Sequence, residues 1–399
     1  MDTGKILFLA LVLSASGIFP GTRMMAESPA TNPLEVKIDQ SDPVIPLGYG
    51  KRELSSFEKY RIQKAITELN LLANEQLQQG KQNKAFELWY RQLKLTRVID
   101  TEAEIEALGE VGAIAWQENR GSDVRNIAER LIEIETELTA SESPDLELLN
   151  KFSTAYQQVR YLDRAVSIQA MITKISRRSD DYSLATEEAN LLALGKLYLA
   201  KFDYQNAAII YQSLLSLNNE NPQLKTNNKV EQYLISLINI YHRTGQANQS
   251  LASKKQLVKH YQQTKRFNKI AKIEIAIAQD YAALEKIPQA IAAYERTVKL
   301  SEQTNQLAIA NDALSKLAQL YRARGQNPQA ISTYVSLVKL QQQSYDYYGL
   351  LNTYDVLGTI YLASNQKKAK QYFRQALELA QSLNYRINYF KSKIDGINI

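Results

Sequence analysis

The sequence predicts an all-α protein, a solenoid of about eight helix hairpins, and three observations predict it. Tyr156, Tyr198, Tyr241, Tyr281, Tyr321 and Tyr361 follow one another at intervals of 42, 43, 40, 40 and 40 residues. Three positions before each stands Ser153, Gly195, Ile238, Ala278, Ala318 or Gly358, and a second column after each holds Ala165, Ala207, Ser250, Ala290, Ala330 and Ala369. Between residues 55 and 395 no alternating, turn-bounded strand pattern survives. Antiparallel helices press their backbones together only where the facing positions lack bulk. An aromatic four residues beyond the second small residue (Tyr211, Tyr294, Tyr334, Phe373) then fills the flanking groove. Burying such a ring contributes about 2–3 kcal/mol. A lone hairpin leaves an apolar face uncovered, so each unit needs neighbours.

Taken in order, the chain opens with the apolar run Ile6–Phe19, preceded by Lys5 and followed by Pro20, Gly21 and Arg23. The run is shorter than the roughly 20 residues of a bilayer-spanning helix, so residues 1–26 are read as a secretory signal. Export follows, to a periplasmic, lumenal or extracellular compartment. Met24 stands where a small residue is expected before a cut after Ala26, so an uncleaved N-terminal membrane anchor is the alternative. Residues 27–52 carry Pro29, Pro33, Pro43 and Pro46 without a helical period and are read as an extended or disordered linker. Ser55 and Glu58 form a capping box that opens the solenoid, residues 53–383.

Two copies of the unit lack the tyrosine and are placed by extrapolation, one on Ala73, Ala85 and Trp89, the other on Gly112 and Val124. Helix ends are marked by Gly80, Gly245 and Gly325, which accept positive φ, and by Pro288 and Pro328 in first turns, with Asn327 as an N-cap. Ser143-Pro144-Asp145 opens the third unit similarly. Residues 384–399, with Phe390 and Lys391, read as an unfinished ninth unit that caps the apolar end.

Composition removes whole classes of chemistry. With no cysteine among 399 residues there is no disulfide, thiolate nucleophile, zinc–thiolate or iron–sulfur site. An excess of six among 48 basic and 42 acidic residues is too small to argue for nucleic acid. His242 and His260 stand on different helices, so no metal site and no cofactor are read from the chain.

Leu194-Gly195-Lys196-Leu197-Tyr198 and Leu357-Gly358-Thr359-Ile360-Tyr361 resemble the L-G-x-x-Y element of the tetratricopeptide repeats, and Ala207-x-x-x-Tyr211 and Ala369-x-x-x-Phe373 resemble the A-x-x-x-F element. The period of about 40, longer than 34, resembles the lengthened repeats of kinesin light chains. The resemblance covers about residues 60–383 and implies a right-handed superhelix that binds proteins or peptides. It also implies that first helices line the concave face. Carried over, this places Lys196, Asn239, His242, Lys272, Gln279, Gln319 and Arg322 in the groove. Asn70, Asn74, Asn150, Thr154 and Gln157 stand at its N-terminal end, and Gln232, Asp312, Ser315, Asn352 and Asp355 stand further along. Amides both donate and accept and so suit an extended peptide backbone, while the three cations favour a partner of acidic character. A carboxylate clamp fails, because Ile235 and Ala276 stand where its polar partners belong.

Tyr345, Tyr347 and Tyr348, beside Asp346, are read either as a contact patch or as packing beneath their loop. Three functions compete on this reading. The first is a non-catalytic interaction scaffold or assembly factor outside the cytoplasm, associated with membrane complexes. The second is a receptor for a small peptide or glycan, and the third is a cell-wall or carbohydrate-active enzyme, which would need poised carboxylates.

Overall fold

The structure, a computed structural model, describes residues 32–35, 42–139, 145–224 and 227–397. The expected signal segment and parts of the expected linker lie outside the described residues. Among the described residues there are seventeen α-helices, two short 3₁₀ turns and no strand. Sixteen of the helices pair into eight hairpins. They are α1 (Ser56–Gln78) with α2 (Gln82–Ile99), α3 (Thr101–Gln117) with α4 (Gly121–Thr139), α5 (Leu146–Gln158) with α6 (Leu162–Ser176), and α7 (Leu184–Ala200) with α8 (Tyr204–Glu220). They continue as α9 (Asn227–Arg243) with α10 (Ala247–Gln263), α11 (Ile270–Ala283) with α12 (Ile287–Gln303), α13 (Leu307–Ala323) with α14 (Asn327–Gln343), and α15 (Tyr347–Tyr361) with α16 (Gln366–Ser382). A last helix, α17, covers Ile387–Asp395. No helix among the described residues is long and apolar enough to cross a membrane.

The chain divides into two units, one of residues to Ser143 with Gln158–Arg160 and one of the remainder. In the first, Ser55 and Glu58 form the reciprocal capping box that starts α1. Trp89 and Phe86 meet edge to face at 5.0 Å, both fully buried, and the Trp89 indole N–H donates to Asn70 Oδ1 at 2.9 Å. The prolines of the expected linker do not spread its described part into a spacer. Leu34 and Ile45 are buried, the Leu34 carbonyl accepts from Arg97, and Asp42 pairs with Arg91 at 2.8 Å. Apolar side chains between the prolines found a surface to cover, and turns rather than extension bring them to it.

In the second unit the small-residue columns are buried, as close approach requires. Ser153, Ala278 and Ala318 on first helices, and Ala165, Ala207, Ser250, Ala290, Ala330 and Ala369 on second helices, are all buried. Tyr211, Tyr294, Tyr334 and Phe373 are buried too. The fit is tightest in the eighth hairpin, where a Cβ added to Gly358 would stand 2.7 Å from the Phe373 ring.

The turns obey one rule. Four residues after the repeated tyrosine the chain enters the left-handed region, at Arg160, Phe202, Gly245, Glu285 and Gly325. The next residue's N–H then returns to the tyrosine carbonyl at 2.8–2.9 Å, as in Asp203 to Tyr198 and Gln326 to Tyr321. Main chain therefore closes these helices, and Asn327 is not an N-cap. The N-cap is Gln326, without a side-chain bond, and Asn327 already lies within the helix ahead of Pro328. The eighth hairpin dispenses with the left-handed residue: Asn365 itself donates to Tyr361, which shortens the turn by one residue and places Ala369 one position early.

Candidate functional site

The expected groove residues fall into two groups. Lys196, Asn239, His242, Lys272 and Gln279 are exposed on the first helices α7, α9 and α11, and none of them has a hydrogen bond or ion pair. Five donors and acceptors are thus left to solvent at related positions of three successive hairpins. Gln232 is likewise exposed and unpaired, whereas several of the others are engaged within the fold. Gln319 donates to Ser315 at 3.1 Å, and Arg322 bonds the hydroxyl of buried Tyr334. Asn74 donates to Asn70, while Asn150 and Thr154 bond back to carbonyls of their own helix. Asp355 is a correction to the groove reading, because Arg386 of the C-terminal segment pairs with it at 2.9 Å and Tyr389 donates to it.

Two cavities receive candidate residues. One, of about 710 Å³, is lined by Asn239 and His242 together with Arg243, Ser236, Phe202 and Tyr204. Phe202 is 73% exposed despite its positive φ of 61°. The other, of about 420 Å³, lies among α13, α14 and α15 and is bordered by Asp312, Ser315, Gln319 and Asn352. Tyr345, Tyr347 and Tyr348 are exposed at 74%, 45% and 58%, and Tyr348 stands edge-on to Tyr385 at 5.9 Å. Solvent, not the loop, covers these rings.

Sequence reasoning missed a set of bonded carboxylates at the joints between hairpins, one buried and one half-buried. Glu188 of α7 is buried and accepts from Asn218 at 2.6 Å and Tyr233 at 2.9 Å, and it pairs with Lys229 of the next hairpin. One joint later, Glu231 accepts from Tyr261 at 2.8 Å, Arg266 at 2.6 Å and Lys269 at 2.7 Å. Burial pushes the Glu188 and Glu231 carboxyls up, but these hydrogen bonds and the neighbouring cations outweigh it and hold both below the ordinary carboxylate value. The Tyr233 and Tyr261 hydroxyls move the other way, raised by burial and by donating to a carboxylate. The signal was present as a register: both glutamates stand ten residues before the repeated tyrosine, and both lysines twelve before the next one. Buried His260 is the remaining titratable group here, its Nε2 3.3 Å from Arg266. No group of His, Asp and Glu among the described residues is arranged to hold a metal ion.

Residues 309–382 match the family model of the tetratricopeptide repeat, and residues 195–345 that of the soluble NSF attachment protein, SNAP. The C-terminal hairpins are tetratricopeptide-type repeats. No curated protein matches the chain in sequence. Among solved structures, BtubC from P. vanneervenii is similar at 18% identity over 56% of this chain and 92% of its own, with a TM-score of 0.37. Aspartyl phosphate phosphatase F from Bacillus subtilis is similar at 15% identity over 73% and 80%, with a TM-score of 0.37. The apo quorum sensor NprR from B. thuringiensis is similar at 14% identity over 73% and 81%, with a TM-score of 0.32.

Proposed function

We propose that the tetratricopeptide-type hairpins form a non-catalytic scaffold that holds a segment of a protein partner along the first-helix face of α7, α9 and α11. One observation carries this reading: Lys196, Asn239, His242, Lys272 and Gln279 are exposed and unpaired within the fold, while the Glu188 and Glu231 carboxylates at the neighbouring joints are bonded inside it. Amides at Asn239 and Gln279 supply donors and acceptors for an extended main chain. Ammonium groups at Lys196 and Lys272 favour acidic side chains. The apolar run Ile6–Phe19 supports a role outside the cytoplasm or at a membrane, which N-terminal sequencing of the protein from fractionated cells tests.

The test of the binding face is titration with an acidic peptide of alternating Glu and Ser against a Lys and Ser peptide of equal length. The acidic peptide binds the more tightly, and Lys196→Ala/Lys272→Ala weakens it and flattens its salt dependence. Equal binding of the two peptides, or an unchanged salt response, sinks the reading. The cavity beside Asn239 and His242 favours a second reading, a receptor for a short peptide or glycan. It requires Asn239→Ala to abolish binding of a tripeptide or disaccharide while the lysine pair is intact.

A further inference from the structure

The joints between hairpins share four positions, and their occupants differ. At the joint of α7–α8 with α9 these are Glu188, Asn218, Lys229 and Tyr233; the last three each donate to Glu188, and Asn218 Oδ1 is buried without a donor. In the same registers the joint of α9–α10 with α11 holds Glu231, Tyr261, Lys269 and Ile273, with the lysine again on the glutamate. At the joint of α13–α14 with α15 the four residues are Asn311, Gln341, Gly349 and Thr353. A carboxylate has become an amide, the lysine a glycine and the tyrosine a threonine. Three of the four side chains are smaller, and the space they vacate is the 420 Å³ cavity, which all four residues line.

The cavity is polar and incomplete. Asn311 is 8% exposed; its amide nitrogen donates to Ser344 at 2.8 Å, but its Oδ1 is buried without a donor. Gln341, 4% exposed, accepts from Thr353 at 2.9 Å. Asp346 caps α15 through the Gly349 N–H at 2.9 Å, and a Cβ on Gly349 would stand 2.5 Å from the Gln341 amide nitrogen and collide with Asp346. The lining includes the carboxylates of Asp312 and Asp346 and no Lys, Arg or His; Lys316 meets Asp312 at 3.5 Å from outside it. The charge pattern is opposite to that of Lys196 and Lys272.

We propose that this cavity receives the ammonium or guanidinium group of a Lys or Arg side chain of the bound segment, donating to Asn311 Oδ1 where the two earlier joints seat a lysine of the chain itself. The assignment rests on the reading that a partner segment lies along the first-helix face, and it gives that segment a direction: acidic residues toward α7–α11, a basic residue at α13–α15. A single cation then completes a joint built without one.

The test uses the full chain and three pentapeptides, four alanines around a central lysine, arginine or glutamine. Calorimetry gives measurable, salt-sensitive binding of the lysine and arginine peptides and at least fivefold weaker binding of the glutamine peptide. Asn311→Leu, which places in α13 the residue that α15 carries at the same register, weakens the cationic peptides at least fivefold. Asn311→Glu, which restores the glutamate of the earlier joints, tightens them at least fivefold. Equal binding of the glutamine peptide, no binding by any peptide, or indifference to both substitutions overturns the proposal. Lys196→Ala/Lys272→Ala leaves the cationic peptides bound as in the parent chain, so failure of the acidic-segment reading and failure of this one show in different titrations.

Discussion

Left-handed backbone at single residues sets the turns, and not every turn uses the residue suited to it. Gly245 and Gly325 hold φ of 69° and 72° without strain, whereas Lys265 holds 55° on an exposed side chain with no partner. An L side chain in that region costs about 1 kcal/mol, so Lys265→Gly is expected to raise the melting temperature by about 2 °C, read by calorimetry. The carboxylates at the joints make a second prediction. Glu188 and Glu231 have folded pKa values below the ordinary one, so the unfolded chain takes up protons more readily than the fold does. Their stabilisation is therefore complete above the unfolded value of about 4.3 and is lost as the pH falls through the folded values. Melting temperature should fall from about pH 5 downward, and Glu188→Gln/Glu231→Gln should flatten that fall while costing about 2 kcal/mol per site at neutral pH. An equal acid slope in the double variant would assign the fall to other carboxylates. These glutamates were the least legible part of the sequence, because a charge on a helix reads as solvated until the facing helix is known. Glu188 and Lys229 are 41 residues apart and belong to different hairpins.

Helices and hairpins were legible because their determinants are local in register. Ala290 and Ala330 recur at the repeat period, their burial follows from close approach, and the ring four residues on follows from the space beside them. Boundaries were less legible. Asn327 and Pro328 carry an N-terminal signature, yet the main-chain bond from Gln326 to Tyr321 starts the helix one residue sooner. Part of the expected binding face has partners inside the fold that its register did not announce: Arg322 reaches buried Tyr334 on the adjoining helix and Arg386 reaches Asp355, while Gln319 bonds only to Ser315 of its own helix. Two glycines of the small-residue column, Gly195 and Gly358, differ in how close their rings lie. A Cβ on Gly195 would meet Tyr211 at 3.3 Å, which a small shift accommodates, whereas on Gly358 it would meet Phe373 at 2.7–2.9 Å. Gly358→Ala is therefore expected to cost about 1–3 kcal/mol and Gly195→Ala less than about 1 kcal/mol, in denaturant titrations of the two variants. Equal costs would mean that the column tolerates bulk and that ring placement does not set hairpin spacing.

A solenoid distributes its stability, so a defect at one end should stay there. In the unit that carries α17, Phe390 and Ile397 are buried in one apolar cluster with Ala369, Phe373, Ala376 and Ala380 of α16, and Arg386 reaches back to Asn352 and Asp355 of α15. The segment occupies the side of α15 that an inner hairpin would present to its successor, and it supplies one ring where a full hairpin would supply two helices. Phe390→Ala removes that ring and should cost about 3–5 kcal/mol locally. In a globular core such a loss would lower protection everywhere. Here the next apolar cluster, centred on Tyr334, Leu337 and Leu340, is separate from the one that holds Phe390. Hydrogen exchange should therefore show faster amides in α15 and α16, little change in α13 and α14, and none in α7 to α10. The same variant should still bind an acidic peptide through Lys196 and Lys272, which lie in the fifth and third hairpins from the end, counting the terminal pair. Uniform acceleration of exchange across α7–α16 would show that the hairpins melt as one body, and the nearest-neighbour account of the solenoid would fall with it.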